Sequence, residues 1–257
     1  MVRVRILFLT ITCMTSELSA VPPDPPPEQN EGTATKKPDS NSPDRLRSNP
    51  TFDFYRFKNL PIVTVHELKH SPPRKALKAF SNGRQSLDDG RLREAITSLG
   101  KAVAIDPEYT ETLNDLGAAY GKTGRIDKAI PLLNSAIHCD PHWGLAYFNL
   151  VMAYVSVNEF SRAEFTARQM TEIAESPEAR FALGLSLTME DRFTPETQAA
   201  LTQAEPLFPQ ATLLLGRVLA GRGEIEAAKL KISAYLASPA LWNRAMAGEW
   251  LALLERK

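Results

Sequence analysis

The chain has 257 residues, with 30 Lys+Arg against 30 Asp+Glu, 43% hydrophobic residues, 19 Pro and 2 Cys. This is the composition of a globular chain of one or two domains. A formal net charge of zero speaks against broad electrostatic binding to nucleic acid, which needs a surplus of Lys and Arg to neutralise phosphates. Two cysteines cannot make a disulfide framework, and neither Cys-x-x-Cys nor His-Glu-x-x-His spacing occurs, so no metal and no cofactor is expected.

Arg3 and Arg5 precede an uncharged apolar run from Ile6 to Met14, and a more polar stretch ends in the small residues Ser19-Ala20. Basic, apolar and small-residue regions in that order read as a cleavable export signal over 1–20, and the protein is expected to be exported, periplasmic or secreted, from a bacterial source. About nine apolar residues are too few for the roughly 20 that a membrane-spanning helix needs. Thr10-Ile11-Thr12 before Cys13 lacks the leucine and small residue of a lipidation signal. From Val21 to Pro50 there are eight prolines among charged and small polar residues. Such a segment cannot bury enough surface to offset its ordering entropy, so 21–50 is expected to be an extended linker.

Residues 51–71 change character. Phe52-Asp53-Phe54-Tyr55-Arg56-Phe57 is followed by Leu60-Pro61-Ile62-Val63, Val65 and Leu68. That much apolar surface is costly in water, so this segment is expected to dock back on the remainder of the chain. A free aromatic bait for another protein is the competing reading.

From Ala76 onward a period of 34 residues appears. The clearest copy, 110–143, places Leu113, Leu116-Gly117 and Tyr120 on one helical face, a turn at Gly124-Arg125, and Ala129, Leu133 and Ala136 on a second helix ending at Asp140-Pro141. The preceding copy, about 76–109, carries Gly83, Gly90-Arg91, Ala95, Leu99, Ala102 and Asp106-Pro107 at the same spacing. Gly117 and the alanines suit close approach of helix axes, and Gly90 and Gly124 suit a left-handed helix end. Asp106 and Asp140 are expected to accept hydrogen bonds from the first N–H groups of the next helix, with Pro107 and Pro141 in its first turn. Later copies, about 144–177, 178–208 and 209–240, drift. Val151 replaces the small residue, Asn158 the turn glycine, Ser176-Pro177 comes two residues late, and the second helix of the fourth copy, roughly 195–205, is short. Trp242, Ala245, Met246, Trp250, Leu253 and Leu254 recur with a period near 3.6 and predict a capping helix within 241–257, with Trp250 as an exposed partner anchor the alternative.

The pattern of Leu-Gly followed by Ala-x-x-x-Leu-x-x-Ala closely resembles the tetratricopeptide repeat family. The resemblance implies an all-α, right-handed superhelical solenoid over 72–257, with about five helix pairs and a capping helix. It also implies a concave groove lined by the first helix of each pair. Carried onto this chain, the groove positions are Phe80 and Arg84, Asn114 and Ala118, Phe148 and Met152, Phe181 and Leu185, and Leu213 and Arg217. The expected groove is apolar in its middle with arginines towards both ends, and its expected ligand is a peptide or protein with apolar anchors. The alternative is that a Phe and Met stripe of this kind packs within the solenoid. The subgroup that clamps chaperone tails through lysines and asparagines is matched poorly by Asn114 and Asn149, and its ligand is not carried over.

Chemistry candidates are few. His138-Cys139-Asp140-Pro141-His142 sits at a helix end, where neighbouring side chains point apart, and reads as a helix terminus with Cys139 a partly buried small hydrophobe. His66, Glu67 and His70 read as capping or surface residues, and Asp88-Asp89 as a solvated helix end. No nucleophile elbow, phosphate-cradling loop or dinucleotide fingerprint occurs. The sequence therefore predicts a non-catalytic peptide- or protein-binding scaffold or assembly factor. The alternative is a self-associating structural solenoid whose groove is filled by its own aromatic segment.

Overall fold

The computed structural model describes residues 70–239 and 243–256. The expected signal (1–20), the proline-rich linker (21–50), all of the aromatic lead-in up to residue 69, and Trp242 lie outside the described residues.

Eleven α-helices and no strand are present among the described residues. Ten form consecutive pairs: α1 (Arg74–Asp88) with α2 (Leu92–Ile105), α3 (Thr110–Lys122) with α4 (Ile126–Cys139), α5 (Gly144–Ser156) with α6 (Phe160–Ile173), α7 (Pro177–Met189) with α8 (Pro195–Ala204), and α9 (Pro209–Gly221) with α10 (Ile225–Ala237). The last, α11 (Arg244–Glu255), stands alone at the end. Each helix packs on the next in sequence, and the first helices also touch one another from pair to pair, α1 on α3, α3 on α5, α5 on α7 and α7 on α9. The second helices make little such contact, so the first helices form an inner row and the second an outer one. The result is a tetratricopeptide-like helical solenoid.

One small-against-large contact repeats within the pairs. A Cβ added to Gly83, Gly117, Gly184 or Gly216 would lie 2.6, 2.8, 2.7 or 2.5 Å from a side-chain carbon of Leu99, Leu133, Leu201 or Ile232 respectively. Each glycine lets an outer-helix leucine or isoleucine press into the backbone of its inner partner, where any side chain would collide. The third pair departs from this arrangement. Val151 stands at the glycine position, Ala167 stands 34 residues after Leu133 and 34 before Leu201, and both are fully buried. The bulk has moved from the outer helix to the inner one, conserving the volume that fills the gap.

The turns inside the pairs require a left-handed residue. Gly90, Gly124 and Gly223 have φ of 73°, 74° and 80°, and Asn158 (φ 59°) and Asp191 (φ 56°) take that place in the third and fourth pairs. Asn and Asp are the side chains that tolerate this region best, so the drift seen in the sequence leaves the turn geometry intact.

Between pairs the structure corrects two expectations. Asp106 and Asp140 do not cap the next helix. Their Oδ1 atoms accept from the backbone N–H of Glu108 (3.3 Å) and His142 (3.0 Å), two residues on. The carboxylates therefore close an Asx turn in which Pro107 and Pro141 sit, and α3 and α5 begin three residues after those prolines. The physical reason is length, because a four-residue connection puts the aspartate too far from the first free N–H groups of the helix. The later pairs do use caps: Ser176 Oγ accepts from Ala179 N (3.2 Å) before Pro177, and Thr194 Oγ1 from Thr197 N (3.2 Å) before Pro195. Pro177 is thus a first-turn proline, not a late copy of Pro141.

The solenoid ends on α11, which presses Ala247, Trp250 and Leu254 against Leu213, Leu219, Ala228, Ile232 and Tyr235. Trp250 is fully buried, which removes it as an exposed anchor and makes it the plug of the last pair's apolar face.

Candidate ligand-binding face

The inner row α1, α3, α5, α7 and α9 carries all ten groove positions expected from the sequence. The structure buries nine of them, and it sets Leu213 apart, packed with Ile232, Tyr235 and Trp250 at the capped end. Phe148, Met152, Leu185 and Leu213 have no exposed surface, Phe80, Asn114, Ala118, Phe181 and Arg217 are also buried, and only the Arg84 side chain, 39% exposed, reaches water.

The polar end is built on α1 and α3. The Arg84 guanidinium lies 5.2 Å from the Phe80 ring centre and 3.9 Å from the Asp115 carboxylate. Asn114 Nδ2 donates to Asp115 Oδ1 (3.2 Å), and Asn149 Nδ2 of α5 donates to Asn114 Oδ1 (2.9 Å). Two asparagines and a carboxylate therefore run as a buried amide ladder from the second pair into the third. At its end the Asn149 Oδ1 is buried and accepts no hydrogen bond. A buried carbonyl oxygen without a donor costs on the order of 1–3 kcal/mol, which makes it a place where an incoming N–H would be welcome. Beside the ladder, the Tyr109 hydroxyl donates to Glu111 Oε2 (3.1 Å), and burial, followed by the nearby Glu111 charge, pushes that phenol well above its ordinary value. Tyr109 is accordingly a neutral hydrogen-bond donor at any physiological pH.

The middle is aromatic. Phe181 stacks on Phe208 with ring centres 4.5 Å apart and planes 8° from parallel, and Phe148 stacks on both at 6.3 and 6.1 Å. Offset stacking of this kind adds about 0.5–1.5 kcal/mol per pair beyond the area buried. Met152 and Leu185 continue the apolar surface, and Arg217 closes it. Arg217 is 4% exposed and donates through Nη2 to Asp191 Oδ1 (2.9 Å) in the left-handed turn after α7. The arginines at the two ends thus differ: one is half in water beside an aspartate, the other is sunk against its carboxylate.

Sequence reasoning missed Phe208, Asp115 and Glu178, of which the last is a buried carboxylate in the first turn of α7. A signal for Phe208 was present. Tyr109, Trp143 and Phe208 each stand immediately before an inner helix, and Tyr109 packs on Phe80 at 4.9 Å just as Phe208 packs on Phe181. At two of these three positions, Tyr109 and Phe208, the aromatic packs on the inner-helix phenylalanine of the preceding pair. Cys139 is half-buried, and among the described residues no three His, Cys, Asp or Glu side chains gather where they could hold a metal ion. This face carries amide hydrogen bonds at one end and apolar contact in the middle.

Residues 86–151 match the family described as tetratricopeptide repeat. The chain is 36% identical over 67 residues to the cellulose synthase operon protein C of Escherichia coli strain K12, a match covering 26% of this chain and 6% of that protein. The chain therefore matches only a small fraction of the length of that relative. Among solved structures it is similar to a thermophilic tetratricopeptide protein of Thermus thermophilus, with a TM-score of 0.57 and 18% identity over 70% of this chain and 99% of that one. It is also similar to the hetero-tetramer Cut9-Hcn1 of the APC/C, with a TM-score of 0.63 and 17% identity over 71% of this chain and 36% of that one. At those identities the likeness concerns the fold.

Proposed function

We propose that this solenoid of tetratricopeptide-type repeats is a non-catalytic scaffold whose inner face holds an extended peptide or protein segment with aromatic or aliphatic anchors. The observation that carries this reading is the inner face itself. Along the inner row come an amide ladder, then Phe148 and Phe181 stacked with Phe208 from the turn before α9, then a buried arginine, and the ladder ends on the Asn149 carbonyl oxygen, which lacks a donor. An extended chain offers what that face lacks, a backbone N–H for the amide and side chains for the aromatic floor. Export to the periplasm or exterior of a bacterial cell accompanies this reading, resting on the order of Arg3, Arg5, the Ile6–Met14 run and Ser19-Ala20. A mature N-terminus near Val21 in the native protein is the expected result of intact-mass measurement.

The test of the scaffold role is an array of 15-residue peptides bearing paired aromatic or aliphatic anchors, probed with the full chain, followed by hydrogen exchange on any complex. Slowed exchange in α5, α7 and α9 is the expected result. Slowed exchange confined to the outer helices, or no peptide held above a scrambled control by either the wild type or the Phe54→Glu/Phe57→Glu variant, would end this reading. A second reading, self-association through the outer row, is favoured by Phe165 on α6 and Leu230 on α10, which are 65% and 73% exposed. A monomer by light scattering across micromolar concentrations would remove it.

A further inference from the structure

The inner helices are buried on more sides than the helices around them cover. In α5 every residue from Ala146 to Val155 is buried, and a helix turning 100° per residue cannot bury ten in succession unless it is enclosed all round. Its described neighbours are α3 and α7 on either side in the inner row, and α4 and α6 of the outer row. The same holds for α7, where Phe181 to Met189 are all buried. Phe148, Met152 and Leu185 would be the exposed floor of an open groove, yet none has any surface in water.

We infer that the chain's own segment 51–65 lies along the inner face as an internal ligand, so that the binding surface is self-occupied until a partner displaces it. The inference rests on the reading of that face as a ligand surface and names its first occupant.

Three observations favour this segment over a second copy or a foreign chain. It is tied close by: the described residues begin at His70, whose Nε2 lies 2.8 Å from Asp106 Oδ2 in the turn that leads into α3, the edge at which the inner helices begin. It is long enough: the thirteen steps from Phe57 to His70 span up to about 43 Å when extended, while the three inner-helix steps from α3 to α9 need about 30 Å at an interaxial spacing near 10 Å. Its chemistry is complementary: Phe52, Phe54, Tyr55 and Phe57 suit the Phe148, Phe181 and Phe208 floor, and Arg56 and Lys58 suit the buried carboxylates Asp115 and Glu178. A tethered segment also has an advantage that no separate chain has, since a short tether holds it at millimolar effective concentration.

The experiment uses the full chain in two arms. In the first, a photoreactive p-benzoylphenylalanine replaces Phe54, and cross-links are mapped by mass spectrometry on the monomer band. Adducts on α5, α7 or α9 are expected; adducts between chains, or on the outer helices alone, would overturn the inference in favour of a second copy or of docking elsewhere. In the second, a labelled peptide with the sequence of residues 51–65 is titrated by fluorescence anisotropy into wild type and into the Phe54→Glu/Phe57→Glu variant of the full chain. Binding tightened at least about tenfold in the variant is expected, because the tethered competitor is gone; equal binding to both, or none to either, would overturn it. The two readings fail separately. Adducts on the inner helices with no array peptide held by the variant would leave self-docking standing and sink the partner-binding role. Array peptides held on the inner helices without such adducts would do the reverse.

Discussion

In the second repeat Gly117 of α3 faces Leu133 of α4, whereas in the third Val151 of α5 stands in the glycine's place and Ala167 of α6 in the leucine's. The same two repeats also differ at one shared position of the inner row, where α3 carries Asn114 within an amide ladder and α5 carries Phe148 within an aromatic stack. The comparison separates two demands on one backbone. The space between paired helices must be filled to a set volume, and either helix can supply it. The inner face follows no such volume rule, and there the side chains change from polar to aromatic in a single step along the row.

The largest effect is expected at the aromatic stack. Phe181→Ala removes a ring that touches both Phe148 and Phe208 and should cost about 3–5 kcal/mol in urea denaturation. Asn114→Ala in the polar repeat, which strips Asn149 Nδ2 of its acceptor, should cost about 1–3 kcal/mol. Equal losses at the two sites would dissolve the distinction between the halves of the face.

The volume swap is tested next. Ala167→Leu alone overfills the third pair and should destabilise by about 1–3 kcal/mol, while adding Val151→Gly restores the arrangement of the second pair and should recover most of that loss. A double variant no better than the sum of its singles would show that the two positions do not share one space.

The turns should differ more gently. Gly124→Ala forces an ordinary side chain to φ near 74° and should cost about 1–2 kcal/mol. Asn158→Gly in the third repeat should change stability by less than about 1 kcal/mol, because asparagine already tolerates φ 59° and glycine does so freely.

The smallest effect lies on the outer surface, where Arg168 of α6 pairs with Glu164 of its own helix and with Glu196 of α8. The Arg168 hydrogen bond holds the Glu196 carboxyl below its ordinary value of 4.5. Its contribution is therefore present above pH 4.5 and fades as pH falls through the lower native value. Glu196→Gln should be slightly less stable than wild type at pH 7, with the difference shrinking in acid and in high salt. A difference that grew in acid would reverse the assignment.

Much of the fold could be read locally. The recurrence of Leu-Gly and Ala-x-x-x-Leu-x-x-Ala locates the close approaches, and Gly90, Gly124 and Asn158 mark turns that do carry positive φ. Val151 was visible as a departure. Its complement Ala167 was not, because an alanine on an outer helix has no meaning until the residue across from it is known. The aspartates before the prolines were assigned to helix capping although they close Asx turns, since a one- or two-residue shift in where a helix begins leaves little trace in composition. On the inner face, the groove positions were legible from the period, but their burial was not, and Phe208 entered only when packing brought it beside Phe181.

What the sequence by itself determined is therefore the period, the helices it pairs and the size of the residue allowed at each close approach, because those depend on neighbours within one repeat. Tertiary structure alone decided which partner supplies the bulk in the third pair, how the asparagines of two repeats join into one ladder, and how deeply the middle inner helices are buried. The first two are set by side chains 16 and 35 residues apart in the chain that meet only when the helices are packed.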